Sequence, residues 1–271
     1  MSTSADLQDE QKPAILAGIS DYVLEITLNR PETLNAIDEH MHHELIGILQ
    51  GLEGRKDVRV CVLGSTGRHF SAGGDLNEVF RIQGDPVVRQ RFHQHGRQLM
   101  NALLDAPVPI VAALQGDAHG LGANIVLSCD AVVAQKRAKL SDTHVVAGMV
   151  AGDGGAVVWP QSMGMMWAKR LLLTGDFLSA EAAYARGLIT DLVETAEEAL
   201  PAARAIAAKI AGLPPLAVQG TKRALNRVMQ QRAGEVFDYS LALEQITLLS
   251  SDIREAVSAF KEKRKPEYKG E

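Results

Sequence analysis

Two short glycine-rich loops constrain the fold of this chain more than any other feature, because each joins a predicted strand to a predicted helix. The first is Ser71-Ala72-Gly73-Gly74-Asp75, after the mostly apolar run 58–63, and the second is 116–122, after the apolar run 110–114. Strands that alternate with helices through short loops favour right-handed βαβ crossovers. We therefore predict an α/β fold, with a mostly helical region from Gly155 onward.

The composition is typical of a globular protein with a mild acidic excess. The chain has 271 residues, of which 46% are hydrophobic and 23% charged, and its net charge is −5. This balance predicts no general attraction to nucleic acid or to an anionic membrane. Cys61 and Cys129 lie in apolar runs, which indicates reduced core residues. With a polar N-terminus and no apolar stretch of about 20 residues, we expect a cytoplasmic protein with no membrane partner.

The chain divides into three predicted regions. Residues 1–13 are predicted to be a disordered tail, 14–200 a core, and 201–271 a helical C-terminal region. Asp38 and Ser179 are predicted helix N-caps, because their side chains can accept from free backbone N–H groups. The predicted helices beyond Gly155 cover 155–173, 179–186, 196–211, 214–231, 235–250 and 252–263, with one strand near 188–193.

Both glycine-rich loops can also carry chemistry. Helix N-termini leave backbone N–H groups unpaired and bear partial positive charge. Two such N–H groups from different loops, aimed at one point, stabilise an enolate or a tetrahedral oxyanion. The alternative is that the glycines only permit tight turns and close packing, and for either loop alone that alternative is preferred.

Several short motifs follow one another along the chain: Asn35-Ala36-Ile37, 70–76, 115–130, Leu173-Thr174-Gly175, Ala180-Glu181-Ala182, Gly187-Leu188 and 259–266. In order and spacing, this set resembles the enoyl-CoA hydratase/isomerase family, also called the crotonase superfamily, from about residue 15 to 270. The resemblance implies a crotonase-like spiral of ββα units. It also implies that 201–271 is a trimerisation region, and hence a homotrimer or a hexamer.

The same resemblance implies an acyl-CoA substrate, an activity typical of fatty acid metabolism, and no permanently bound cofactor or metal. It places the oxyanion-binding N–H groups at Ala72 and Leu121. The residues it implies for contact with coenzyme A are Ala36, Asp75, Leu76, Phe260 and Lys263. For Lys263, a solvated lysine in a basic tail is an equally good interpretation.

Two positions depart from the hydratase pattern. Hydratases of the family place one glutamate at each of two positions, which are occupied here by Asn124 and His144. Asn124 can orient a ligand but cannot carry a proton. Asp153 follows His144 by nine residues and could orient its imidazole as a base, or could instead cap the following helix. We predict that His144 and Asp153 form the acid/base pair and that hydration of crotonyl-CoA is slow or absent.

One alternative activity and one non-catalytic role stay open. His119, His144, Asp153 and Glu244 resemble the polar set of oxocamphor-hydrolase-type β-diketone hydrolases, which cleave a C–C bond without coenzyme A. His119 distinguishes this alternative, because there it would polarise a carbonyl group. The non-catalytic alternative is an acyl-CoA-binding homologue. The preferred prediction is an acyl-CoA enzyme of the hydratase/isomerase group.

Overall fold

The computed structural model describes residues 13–271. Its strands are β1 (Ile15–Ser20), β2 (Val23–Leu28), β3 (Val60–Ser65), β4 (Ile110–Leu114), β5 (Ala118–His119), β6 (Ala131–Gln135), β7 (Lys139–Ser141), β8 (Leu178–Ser179) and β9 (Asp191–Val193). Six of them form one sheet in the order β1-β2-β3-β4-β6-β9, in which only β1 and β2 are antiparallel. The α/β class is confirmed. The predicted tail lies outside the described residues, apart from Pro13.

A second, smaller sheet brings the two glycine-rich loops together. It has the order β5-β7-β8, with β5 parallel to β7 and β7 antiparallel to β8. An isolated parallel bridge joins Ser71 of the first loop to Ala118 of β5. A second bridge joins Ile37 to Gly74. Backbone pairing therefore positions both loops beside each other.

The helices are α1 (Glu39–Gln50), α2 (Val79–Gly84), α3 (Pro86–Asp105), α4 (Leu121–Leu127), α5 (Gly155–Met163), α6 (Met165–Leu172), α7 (Ala180–Tyr184), α8 (Ala196–Ala211), α9 (Pro215–Leu248) and α10 (Ser251–Glu262). Both predicted N-caps are confirmed. The Asp38 side chain accepts from the Met41 N–H at 2.8 Å, and the Ser179 side chain accepts from the Ala182 N–H at 3.2 Å.

Three predicted helices are divided or joined in the structure. The segment 155–173 is interrupted at Gly164, which has a φ of 81° that favours glycine. Conversely, 214–231 and 235–250 form the single helix α9. Gly234 in its interior costs about 1 kcal/mol, but Ala233 and Phe237 on either side of it are buried in the core. No helix within 13–271 is both long and apolar enough to cross a membrane.

The segment 76–100, for which no helix was predicted, is mostly helical. It contains α2 and the larger part of α3, whose first turn begins with Pro86 and is capped by the Asp85 side chain. Val88, Leu99 and Leu103 of α3 are buried. These positions share one face of the helix, so α3 is an amphipathic helix with one buried side and one charged side.

Helix α8 covers one face of the large sheet. Its Ala203, Ala207 and Ala211 pack in a cluster with Val62 and Val111 of the sheet. The opposite face of the sheet contributes to the main core, which contains the completely buried Trp159. The predicted division at 200/201 falls inside α8, and separate core and C-terminal regions stay a prediction.

Candidate active site

The two glycine-rich loops are in direct contact, and glycine permits that contact. The His119 N–H donates to the Ser71 carbonyl at 3.0 Å. A β-carbon on Gly73 would lie 2.7 Å from the His119 carbonyl oxygen, and Gly73 has a φ of 92°. A β-carbon on Gly122 would lie 2.6 Å from the Ser71 β-carbon. Larger residues at these glycines would therefore force the loops apart.

The backbone N–H groups of these loops differ in whether they have a hydrogen-bond acceptor. The Ala72 N–H donates to the Leu34 carbonyl at 2.9 Å, which argues against the predicted role of Ala72 as an oxyanion donor. Leu121 begins α4, so its N–H has no acceptor within the helix. Within 13–271, the N–H groups of Gly74 and Leu121 have no hydrogen-bond acceptor, and a β-carbon on Gly74 would meet open space. Gly74 therefore replaces Ala72 as the candidate donor.

His144 lies between two buried carboxylates. Its Nε2 is 3.1 Å from Asp153 Oδ2, which places these two predicted residues together. Its Nδ1 is 2.6 Å from Asp142 Oδ1, a contact that was not predicted from the sequence. Because both ring nitrogens are occupied, His144 has no free nitrogen to act as a base in this arrangement. Its Cε1 lies 3.5 Å from where a β-carbon on Gly120 would be, beside the second loop.

The two carboxylates determine the charge of this imidazole. Burial alone would lower the pKa of His144, but the charges of Asp153 and Asp142 and the hydrogen bonds to them outweigh burial, so the pKa is raised well above 6.5. Burial would raise the pKa of Asp142, but the His144 charge and hydrogen bonds lower it overall. At neutral pH, His144 is therefore an imidazolium held by an ionised Asp142.

Asn124 connects this group to the core. Its Nδ2 donates to Asp153 Oδ1 at 2.8 Å and, more weakly, to Asp142 Oδ2 at 3.5 Å. Its Oδ1 accepts from Trp159 Nε1 at 2.9 Å. The residue at the first glutamate position is thus a completely buried amide whose polar atoms are all engaged. It holds a carboxylate in place and carries no proton itself.

Glu244 of α9 completes the cluster. One donor atom each of His144, Asp153 and Glu244 lies within 4.8 Å of the others. Burial, and next the charge of Asp153, raise the pKa of Glu244 to about 8. Asp153, Glu244 and Leu121 line one cavity, whose free space is only about 10 Å³. Part of its wall is apolar and consists of Phe92, Leu241 and Leu248.

His42 of α1 also lines this cavity and was missed at the sequence level. It is buried, and among the described residues its Nε2 has no hydrogen-bond partner. Burial and the neighbouring His95 lower the pKa of His42 to about 4, so it is neutral at pH 7. Its position in the amphipathic helix α1 offered no signal, because a histidine on a buried helix face is ordinarily part of the core.

His119 has a different set of neighbours from the His144 cluster. Its Nδ1 is 2.8 Å from Ser141 Oγ, and its ring packs edge-on against Phe177 with the centroids 5.4 Å apart. A donor atom of His119 also lies within 4.8 Å of donor atoms of His69 and Asp117. Among the described residues, His119 is not one of those that line the cavity of Asp153 and Glu244. This weakens the case for the diketone-hydrolase alternative.

The predicted coenzyme A contacts come from two parts of the chain. Ala36 is buried, and Asp75 caps the short 3₁₀ turn Leu76–Glu78. Phe260 is 74% exposed near the end of α10, and Lys263 is exposed just after it. Helix α10 shares a small apolar cluster with α2, in which Leu76 also takes part. An exposed phenylalanine at a helix end is available for a ligand, and its contact with coenzyme A stays a prediction.

Comparison with known proteins identifies the family. The family model for enoyl-CoA hydratase/isomerase matches residues 18–271. The chain is 32% identical to the 1,2-epoxyphenylacetyl-CoA isomerase of Escherichia coli K12, over 94% of this chain and 98% of that protein. The chain belongs to the enoyl-CoA hydratase/isomerase family. It is also 31% identical to the 2,3-dehydroadipyl-CoA hydratase of the same organism, over 92% of this chain and 95% of the relative.

A solved structure supports the same assignment. An enoyl-CoA hydratase/isomerase from Mycobacterium paratuberculosis superposes with a TM-score of 0.87 at 33% identity, over 92% of this chain and 99% of that one. The predicted family and crotonase fold are thereby confirmed. This enoyl-CoA hydratase/isomerase family member is an acyl-CoA enzyme, and the comparisons give no support to the hydrolase alternative.

Proposed function

We propose that this protein converts an acyl-CoA thioester through an enolate, with Asp153 and Glu244 transferring protons in place of the two glutamates of hydratases. The observation that carries the proposal is that Asp153 and Glu244 line the same buried cavity as Leu121, the residue at the start of α4. The N–H groups of Leu121 and Gly74 would bind the thioester oxygen. Donors fixed in the backbone stabilise the charge that develops there without reorganisation.

The protonation states support an acid and a base in one site. A pKa of about 8 keeps Glu244 mostly neutral at pH 7, so it can give up a proton. Asp153 accepts hydrogen bonds from Asn124 and His144, as a carboxylate does. His144 would then orient Asp153 and balance its charge. This role replaces the one predicted from the sequence, in which His144 is itself the base.

The reaction follows from this pair. Asp153 takes a proton from a carbon next to the carbonyl group or conjugated with it, and the electron pair moves into the thioester as an enolate. Glu244 then returns a proton to a different carbon, and the two carboxyl groups exchange the remaining proton. The net change is the shift of a double bond with no loss or gain of atoms, which favours isomerase chemistry over hydration.

The substrate would enter from the loops and end among apolar side chains. Coenzyme A would run past Ala36, Asp75 and Leu76, with Phe260 and Lys263 as further contacts. The relatives named for phenylacetyl- and adipyl-derived CoA thioesters support an acyl group of moderate size. A cavity of about 10 Å³ requires Phe92 or Leu248 to move before such a group can fit.

A homotrimer or hexamer is also proposed. Leu225, Val228 and Ile246 of α9 are exposed in the single chain, at 67%, 55% and 67%, and their spacing places them on one side of the helix. An apolar row of this kind is typical of a subunit interface. Sedimentation equilibrium at micromolar concentrations should give the mass of a trimer or hexamer, and a monomer would contradict this part of the proposal.

The test compares Leu121→Pro with Leu121→Ala. Proline is well tolerated at the first position of a helix, so it removes the N–H and leaves α4 intact. The assay follows deuterium exchange at the α-carbon of butyryl-CoA in D₂O, which reports enolate formation without knowledge of the natural substrate. Leu121→Pro should lower the exchange rate at least tenfold below that of Leu121→Ala, since one oxyanion donor is worth about 10²–10³ in kcat. Equal rates in the two folded variants would refute the oxyanion role.

A further inference from the structure

Three side chains outside the proposed acid/base pair form a compact cluster of metal-ligand type. Donor atoms of His69, Asp117 and His119 all lie within 4.8 Å of one another. We propose that these three residues bind one divalent metal ion such as Zn²⁺. Two imidazoles and one carboxylate suit such ions, and three protein ligands leave coordination positions open to water or a ligand.

The backbone holds the three ligands in place. The N–H groups of Phe70 and Ser71 both donate to the Asp117 carbonyl, at 2.9 and 3.3 Å, which ties the segment after His69 to Asp117. The His119 N–H in turn donates to the Ser71 carbonyl at 3.0 Å. The ligands therefore lie on two paired segments, so binding an ion costs little conformational entropy.

Neighbouring groups orient two of the ligands for coordination. His119 Nδ1 is 2.8 Å from Ser141 Oγ, which leaves Nε2 to bind a metal. Asp117 Oδ1 accepts from the Lys139 N–H at 2.8 Å, which leaves Oδ2. Hydrogen bonds of this kind fix the ring and the carboxylate of metal ligands in other proteins.

The third ligand has an unsatisfied nitrogen. His69 Nδ1 is inaccessible to solvent and, among the described residues, has no hydrogen-bond partner. A buried polar atom without a partner costs about 1–3 kcal/mol, and coordination through Nδ1 would offset this cost. The cluster is partly exposed as a whole, so an ion can reach it from solvent.

One nearby charge opposes the ion. The Lys139 ammonium lies 5.8 Å from the centre of the Phe177 ring, and that ring packs edge-on against His119. Removing this positive charge should tighten binding of a cation. This expectation distinguishes a real ion site from a histidine cluster with only a packing role.

The buried cluster of His144, Asp153 and Glu244 is a poorer ligand set, although its donor atoms are equally close. Both ring nitrogens of His144 already contact carboxylates. A metal there would have to displace one of these contacts. Glu244→Gln therefore serves as a control that removes one donor from that cluster and leaves the His69 cluster intact.

The experiment is calorimetric titration of untagged protein with ZnCl₂, paired with visible absorption of the Co²⁺ complex. The wild type should bind one ion per chain. His69→Gln and Asp117→Asn should weaken binding at least tenfold, Ser141→Ala by about tenfold to a hundredfold, and Lys139→Ala should strengthen it. The controls Glu244→Gln and His93→Ala should bind like the wild type, and circular dichroism checks that each variant is folded.

Two results would overturn the site. One is the absence of stoichiometric binding of Zn²⁺ to the folded wild type. The other is binding that His69→Gln and Asp117→Asn leave unchanged, since the ion would then lie elsewhere. Loss of binding in Glu244→Gln would also reject it, in favour of the buried cluster.

Discussion

Trp159 determines which way the Asn124 amide faces. The indole Nε1 donates to Asn124 Oδ1 at 2.9 Å, so the amide nitrogen must point to the carboxylates, where it donates to Asp153 Oδ1 at 2.8 Å. All of these atoms belong to buried residues. A glutamate at this position would have no proton to offer Asp153 when ionised, and the network therefore requires an amide.

Asn124→Asp should destabilise the fold. It removes the hydrogen bond to Asp153 and adds a third carboxylate beside Asp142 and Asp153, at a cost of about 3–5 kcal/mol for an unpaired buried charge. The new carboxyl should have a raised pKa when folded, so the loss relative to wild type should grow as pH rises from 5 to 8. Urea unfolding at the two pH values measures this loss. Asn226→Asp, which removes a half-buried hydrogen bond to the Leu104 carbonyl, is the matched control with a smaller loss.

Crotonyl-CoA should be a poor substrate for hydration. Asn124 cannot accept a proton, and His144 has both nitrogens occupied, so neither can position and split water as a glutamate does. Turnover should fall well below the roughly 10³ s⁻¹ at the upper end of typical enzymes. The loss of absorbance of the conjugated thioester measures it. Hydration at about 10³ s⁻¹ or faster would show that another pair activates water.

His144 should stay protonated at pH 7. Its pKa is raised above 6.5, so the stability it contributes is complete below pH 6.5 and is lost as pH rises through the folded pKa. Asp142→Asn removes one charge and one hydrogen bond and should move that pKa downward. Proton NMR titration of the imidazole C–H signals measures the His144 pKa in the wild type and in the variant. His42, with a pKa of about 4, is the internal reference. A His144 midpoint below 6.5 in the wild type would contradict the two-carboxylate arrangement.

Glu244→Gln should slow the return of a proton to the enolate and change the pH dependence of stability. Loss of an acid/base group costs about 10²–10⁴ in rate. Between the ordinary value of 4.5 and about 8, folded Glu244 holds a proton that the unfolded chain releases, so stability falls as pH rises across this window. The variant should lack this decline. Glu235→Gln, on the exposed side of the same helix, should behave like the wild type in both exchange and unfolding experiments.

The sequence predicted the fold well where local signals agree with packing. Asp38 and Ser179 have cap side chains, and both begin helices as expected. The break expected within α9 did not occur, because burial of Ala233 and Phe237 overrides the preference of Gly234. Helix α3 was missed although its buried residues lie on one side, which is the usual pattern of an amphipathic helix, and the α10 contacts depend on tertiary packing.

The candidate site could be predicted only in part. His144, Asp153 and Glu244 do lie together. Asp142 stands two residues before His144, yet nothing local indicates that its side chain turns towards the ring. The choice between Ala72 and Gly74 depends on the direction in which each N–H points. In a regular strand both would point the same way, but Gly73 between them has a φ of 92°. Such loop dihedral angles are a product of tertiary contacts and are not encoded by residue type alone.

Because Glu244 lies on α9, the proposed acid is synthesised after the proposed base and the oxyanion donors. Chains emerge from the ribosome with the N-terminal part first. Both glycine-rich loops, His144 and Asp153 are therefore made before Glu244. Ser240 of α9 donates to the Gly152 carbonyl, next to Asp153, and Phe237 and Leu241 of α9 belong to the main core. The last large helix thus supplies the acid and also supports the segment that carries the base, so the site is complete only when the whole chain has packed.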